Sequence, residues 1–125
     1  MRSGHRVLVI DDEAPIRSAL EDMLVDEGHE VRTAPDGRQG LEILTCWRPD
    51  VILLDLSMPV MGGVAFREAQ LGLSEDLRDV PVIALTGARD PDEQAWQVGA
   101  VAVLPKPFDL DDLEAAVDEA LGTTT

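Results

Sequence analysis

Five polar residues, each placed at or just after an apolar run, are the strongest candidates for chemistry in this 125-residue sequence. They are Asp11, Asp12, Asp55, Thr86 and Lys106. Carboxylates gathered at one point repel each other, and Mg²⁺ suits such a cluster because it binds a few carboxylates and keeps several waters. A carboxylate can also form an aspartyl phosphate. Asp55 is the candidate nucleophile. Lys106 would balance the charge of a phosphoryl group, and Thr86 would donate a hydrogen bond to it.

Apolar runs with the length of strands must position these side chains. Residues 7–11, 51–55 and 82–86 are rich in β-branched residues, show no alternation and end in a polar side chain. A fourth run covers residues 101–104, and a weaker, alternating run over residues 29–34 predicts an edge strand. Continuous apolar runs of this length are typical of strands that are covered on both faces, as in parallel sheets.

Helical patterns fill the intervals between the predicted strands. Apolar residues at helical spacing predict helices over residues 16–28, 36–47, 90–99 and 109–121, and residues 62–73 predict a helix less clearly. Strand and helix thus alternate about five times, which predicts a parallel sheet with right-handed crossovers and helices on both faces. The carboxyl ends of all strands then meet at one edge, where such sheets bind ligands.

Composition narrows the range of partners and locations. The formal net charge is −15, which disfavours nucleic acid and anionic membranes as partners because both select for Lys and Arg. Cys46 is the only cysteine, so no intramolecular disulfide forms. The first apolar run is too short for a signal peptide or a membrane span, which favours a cytoplasmic protein.

Four blocks of the sequence together resemble the receiver domain of bacterial two-component response regulators. The blocks are VLVIDDE, VILLDLSMPVMGG, VIALTG and GAVAVLPKPF, in that order. The resemblance covers residues 6–121 and implies one receiver domain over residues 1–125, with short tails at 1–5 and 122–125. It also implies an α/β, flavodoxin-like, doubly wound fold with a five-stranded parallel sheet in the order 2-1-3-4-5 and five helices.

The resemblance assigns roles to the acidic residues. Asp55 matches the phosphoacceptor of the family. Asp12 and Asp55 match the Mg²⁺ ligands, together with the backbone carbonyl of Ser57, and Asp11 supports the metal largely through water. Taken alone, Asp11 and Asp12 would read as an acidic pair at a helix entry, which is common and favourable.

The resemblance also assigns residues that respond to the phosphoryl group. Thr86 matches the switch hydroxyl, Lys106 matches the lysine that pairs with the phosphoryl group, and the Lys106–Pro107 bond is expected to be cis. The family usually has Tyr or Phe where this chain has Val103. The usual coupling between the threonine and the aromatic ring is therefore weakened or replaced. Trp96, expected across from Val103, is either a partner anchor or substitute reporter, or a core or half-buried helix residue.

The implied function is that of a phosphorelay receiver. A sensor histidine kinase or a histidine phosphotransfer protein would donate the phosphoryl group, and an unidentified downstream protein would bind the switched surface. The receiver would catalyse only its own phosphorylation and dephosphorylation, so it is not an enzyme with a free substrate. The chain either works alone or is one domain of a longer protein such as a hybrid kinase.

Two other classes fit less well. A haloacid-dehalogenase-like phosphotransferase also uses an aspartate at a strand end, but it needs a second Asp where this chain has Ser57, and the chain is too short for a substrate cap. A pseudo-receiver, which has the same fold and is never phosphorylated, usually loses site residues that this chain keeps. Val103 is the only feature that favours a pseudo-receiver.

Overall fold

Five strands form the centre of the molecule. The computed structural model describes residues 4–56, 58, 61–87 and 98–122. The strands are β1 (Arg6–Ile10), β2 (Glu30–Ala34), β3 (Val51–Asp55), β4 (Val82–Thr86) and β5 (Ala102–Pro105). The bounds of β3 and β4 are those predicted, and the bounds of the other three strands differ by one residue.

All strand pairings in the sheet are parallel, and the strand order is β2-β1-β3-β4-β5. The predicted fold class and strand order are confirmed. β2 is an edge strand whose side chains alternate in exposure, as its sequence predicted, whereas β3 is buried along its whole length. A strand flanked by neighbours on both edges and by helices on both faces has no solvated side, which explains the uninterrupted apolar run.

Helices lie between the strands along the chain. They are α1 (Ala14–Asp26), α2 (Gly37–Cys46), α3 (Gly63–Leu71), the single turn α4 (Glu75–Arg78) and α5 (Leu110–Leu121). The helix predicted over residues 90–99 lies outside the described residues except at its end, where Val98 is helical and Gly99 has a φ of 63°. The sequence did not predict α4.

Local signals explain where two of the helices begin. The Asp36 side chain accepts a hydrogen bond from the Gln39 N–H at the start of α2. Asp109 and Asp112 form a reciprocal capping box at the start of α5. Such caps satisfy backbone N–H groups that have no partner inside the helix.

The core is divided by the sheet into two main clusters. One lies between the sheet and helices α1 and α5, and the other between the sheet and helices α2 and α3. On α3, Phe66 is fully buried, whereas Leu71 is 47% exposed although it is apolar. Gln70 occupies the buried position instead, because its side chain bonds to the loop that leads to β4.

Candidate functional site

Acidic residues converge at the carboxyl edge of the sheet. Asp55 is the last residue of β3, and Asp11 directly follows β1. Because Ile10 is in register with Leu54 on the neighbouring strand, the two aspartates occupy adjacent positions. The structure brings together four carboxylates whose oxygens lie within 4.8 Å of one another, those of Asp11, Asp12, Glu13 and Asp55.

Lys106, just past β5, contacts this cluster through its ammonium group. Its Nζ lies 2.9 Å from Asp11 Oδ2, 3.0 Å from Glu13 Oε2 and 3.5 Å from Asp55 Oδ2. Burial by itself lowers the pKa of Lys106, but the contacts with Asp11 and Glu13 and the charge of Asp55 outweigh burial and raise it. The lysine is therefore fully charged at neutral pH.

The backbone around Asp11 is fixed by several hydrogen bonds. Asp11 Oδ1 accepts from the Glu13 N–H at 2.8 Å, and the Asp11 carbonyl accepts from the Arg17 guanidinium at 2.8 Å. The Asp11 N–H donates to the Ala34 carbonyl of the edge strand. These bonds leave Asp11 Oδ2 facing the Lys106 ammonium, with no other donor from the described part of the chain.

The donor set fits a small divalent cation. Among the described residues, four carboxylates face the Lys106 ammonium, and two of them, Asp11 and Asp55, are buried with at most 3% of their surface exposed. Buried carboxylates that outnumber the nearby cations are costly unless a further positive charge joins them. Oxygen donors of this kind are the ligands that Mg²⁺ prefers.

Thr86 and Lys106 are neighbours at the same edge. Asp55 is in register with Leu85 on β4, so Thr86 lies one residue further along that strand. The Lys106 N–H donates to the Thr86 carbonyl at 2.7 Å, which ties the start of the lysine loop to the end of β4. The Lys106–Pro107 peptide bond is cis.

Two of the predicted positions lie outside the described residues, namely Ser57 and Trp96. Val103 is described, and it lies on the edge strand β5 with 49% of its surface exposed. The placement of Trp96 across from Val103 stays a prediction.

Sequence reasoning missed Glu13 as a member of the cluster. Its carboxylate contacts Lys106, which is 93 residues away in the chain. Glu13 is the third acidic residue of the motif DDE, and this position could have indicated that it belongs to the cluster. An acidic residue just before a helix, however, ordinarily occupies a solvated position. Glu13 joins the cluster because the Lys106 ammonium, just after β5, contacts its carboxylate just before α1.

Comparison with known proteins identifies the family. The model of the response regulator receiver domain matches residues 7–118. The chain belongs to the response regulator receiver family. This receiver is 33% identical over 118 residues to the sporulation initiation phosphotransferase F of Bacillus subtilis, and the aligned region covers 94% of each chain. The chain spans only about half the length of several other curated relatives. Receiver domains are signalling modules of two-component systems.

A solved structure supports the same assignment. The receiver domain of the sensor histidine kinase PA1611 from Pseudomonas aeruginosa superimposes with a TM-score of 0.87 at 30% identity, covering 96% of this chain and 99% of that one. That structure carries a magnesium ion coordinated in its active site cleft. The acidic cluster of the present receiver has a composition compatible with the same ion.

Two expectations about partners and location need comment. The exclusion of nucleic acid is not supported, because the DNA-binding transcriptional regulator NtrC of Klebsiella pneumoniae is 38% identical over 115 residues, which are 90% of this chain and 24% of that protein. The charge of a receiver domain does not determine what a longer protein binds. Within the described ranges, no helix is long and apolar enough to cross a membrane.

Proposed function

We propose that the chain accepts a phosphoryl group on Asp55 in a Mg²⁺-dependent reaction. The observation that carries this proposal is the buried Asp55 carboxylate at the end of β3, within 3.5 Å of the Lys106 ammonium and surrounded by three further carboxylates. The donor would be a phosphohistidine on a sensor histidine kinase or a histidine phosphotransfer protein. This donor class places the domain in the cytoplasm.

The transfer itself exchanges one bond to phosphorus for another. An Asp55 carboxylate oxygen forms the new O–P bond while the N–P bond to the donor histidine breaks. Lys106, now shared among three carboxylates, would turn part of its charge toward the incoming phosphoryl oxygens. Thr86 would donate its hydroxyl to another of those oxygens. The domain would catalyse this step and the later hydrolysis on itself alone.

The metal would be held by a subset of the acidic residues. Asp12, Asp55 and the backbone carbonyl of Ser57 are the proposed direct ligands, and Asp11 would act largely through water. When bound, Mg²⁺ supplies positive charge to the phosphoryl oxygens in the transition state. Asp11 suits an indirect role because one of its oxygens already accepts the Glu13 N–H and the other faces Lys106.

Phosphorylation would switch a surface for a downstream protein. Phosphorylation replaces the buried monoanionic carboxylate with a dianionic group. The Thr86 hydroxyl would move to donate a hydrogen bond to this group, and the Lys106 ammonium would move to neutralise its charge. We propose that the exposed Val103 on β5, together with Trp96, belongs to the surface that reads this change.

The test is direct phosphorylation by a small donor. The protein is incubated with acetyl phosphate, with Mg²⁺ or with EDTA, and its intact mass is measured for the wild type, Asp55→Asn and the control Asp22→Asn. Asp22 is an exposed acid on α1 that lies outside the cluster, so the control removes the same charge elsewhere. We expect one Mg²⁺-dependent phosphoryl adduct in the wild type and the control, and none in Asp55→Asn.

A separate Mg²⁺ titration distinguishes the possible causes of a missing phosphoryl adduct. A wild type that neither binds Mg²⁺ nor gains a phosphoryl group would overturn the proposal in favour of a pseudo-receiver. If Mg²⁺ binds without an adduct, a phosphohistidine donor is tried next, and failure with that donor as well would reject Asp55 as an acceptor.

A further inference from the structure

The start of α2 makes an unusually close contact with the loop between β3 and α3. Gly37 is the first residue of α2 and is buried. A Cβ atom built at Gly37 would lie 2.7 Å from the carbonyl oxygen of Met61 and 2.9 Å from its Cγ. Non-bonded carbon and oxygen atoms do not approach so closely, so a side chain at this position forces a shift between the start of α2 and Met61.

That loop begins directly after Asp55, and packing holds its described residues in place. Met58 and Met61 pack in the core cluster on the α2 and α3 side, and Leu56 packs against Ala84 and Val98 in a smaller cluster that also contacts Val64 of α3. Gly63 closes the far end, because its N–H donates to the Leu56 carbonyl at 3.4 Å. Residues that are packed in two clusters have little room to absorb a displacement.

We propose that Gly37 is a positioning residue for the loop that follows Asp55. The missing side chain sets the distance between α2 and Met61, which belongs to the segment that joins Asp55 to α3. The inference rests on the proposed function, since that loop matters only if Asp55 and the neighbouring backbone bind metal and phosphoryl group. Gly37 acts through Met61 and touches none of the reacting atoms.

Gly40 supplies a matched control on the same helix. A Cβ atom at Gly40 would lie 2.5 Å from Cδ1 and 2.9 Å from Cγ1 of Ile10, which are side-chain atoms in the core. Gly40→Ala therefore introduces a clash at least as close as Gly37→Ala does, one turn away, and it meets a side chain and not the loop backbone.

The experiment compares the wild type, Gly37→Ala and Gly40→Ala. Backbone amide NMR spectra are recorded without metal, Mg²⁺ affinity is measured by titration, and the rate of phosphorylation by acetyl phosphate is followed by mass. In Gly37→Ala we expect shifted Leu56, Met61 and Gly62 amides, weaker Mg²⁺ binding and phosphorylation slowed about tenfold, since sub-ångström to ångström misplacement costs rates of this order. Gly40→Ala should lower Tm and leave Mg²⁺ affinity and rate near those of the wild type.

Each other outcome has a defined meaning. Equal losses of Mg²⁺ affinity in the two variants, or no loss in Gly37→Ala, would overturn the inference and leave Gly37 as a packing residue. If Gly37→Ala does not fold, Met61→Ala removes the Cγ atom that lies against Gly37 and keeps the carbonyl, and unchanged Mg²⁺ affinity in that variant would count against the inference in the same way. If the wild type is phosphorylated neither by acetyl phosphate nor by a phosphohistidine donor, the proposed function fails, while the amide shifts and Mg²⁺ affinities still decide the role of Gly37.

Discussion

Two polar clusters in this molecule are built from different groups and differ in how their charges and hydrogen bonds are balanced. The first is the acidic cluster at the carboxyl edge of the sheet, where four carboxylates face the Lys106 ammonium. The second, the α3 cluster, consists of Arg67 and Gln70. The Arg67 guanidinium donates to the Val98 carbonyl at 2.7 Å and to Gln70 Oε1 at 2.7 Å, and the Gln70 amide donates to two further carbonyls, those of Leu77 and Val80.

The α3 cluster is self-sufficient. Gln70 is fully buried, and its amide oxygen and nitrogen both have partners within the protein. Burial lowers the pKa of Arg67, and the charge of Asp79 works in the opposite direction. A satisfied network of this kind joins α3 to the segments before β4 and β5, and its contribution is to stability.

Among the described residues, the carboxylates of the acidic cluster outnumber the ammonium that contacts them. The stability of the acidic cluster is therefore expected to depend on what binds there. The stability of the α3 cluster is not expected to depend on a ligand. The comparison indicates that excess charge among buried groups, and not burial of polar groups as such, distinguishes a binding site from a structural network.

The largest effect is expected from Gln70→Leu. This change leaves the Leu77 and Val80 carbonyls and one Arg67 N–H without their partner, at a cost of about 3 kcal/mol in the free energy of unfolding. Urea denaturation measures the loss, and Mg²⁺ affinity should stay unchanged. Glu68→Ala, an exposed change on the same helix, should fall within about 0.5 kcal/mol of the wild type. Weakened Mg²⁺ binding in Gln70→Leu would mean that the two clusters are coupled.

A smaller loss is expected from Lys106→Met. In EDTA the variant should be about 2 kcal/mol less stable, because the buried Asp11 carboxylate loses its countercharge. Saturating Mg²⁺ should restore more stability to the variant than it adds to the wild type, since the ion then supplies the missing charge. Denaturation curves with and without Mg²⁺ test this. Equal gains in the two proteins would show that the lysine and the metal do not share the carboxylates.

Asp12→Asn should raise stability slightly while it weakens metal binding. Removing one of four neighbouring carboxylates relieves repulsion worth about 0.5 kcal/mol in the metal-free protein. Mg²⁺ affinity should fall about tenfold or more. Calorimetric titration and denaturation in EDTA measure the two effects, and Asp22→Asn controls for the change in net charge. A destabilised Asp12→Asn variant would contradict the surplus of negative charge at this edge.

The smallest effect is expected from pH. Because the folded pKa of Lys106 is raised, its stabilisation is fully present below the unfolded value of about 10.4 and is lost only as pH rises through the folded value. The stability difference between the wild type and Lys106→Met in EDTA should therefore change by less than about 0.3 kcal/mol between about pH 7 and about pH 9. A difference that shrinks steadily over this range would show that burial outweighs the carboxylates and lowers the pKa.

The sequence by itself determined the strands and the polar residues at their ends. Continuous apolar runs such as 51–55 and 82–86 are local signals, and a strand buried on both faces leaves no other pattern. Because parallel strands end at one edge, the meeting of Asp11, Asp55 and Lys106 followed from their positions in the chain. The four blocks that resemble the receiver family supplied the strand order, which no local signal encodes.

Only the tertiary structure decided which side chains complete each cluster. Glu13 joins the acidic cluster across 93 residues of chain, and Gln70 replaces Leu71 as the buried residue near the end of α3. The approach of Gly37 to Met61 is of the same kind. These contacts depend on how far each helix is rotated and how closely it approaches the sheet. Periodicity in the sequence fixes the face that a helix buries, but its rotation and distance are set only when all the elements pack together.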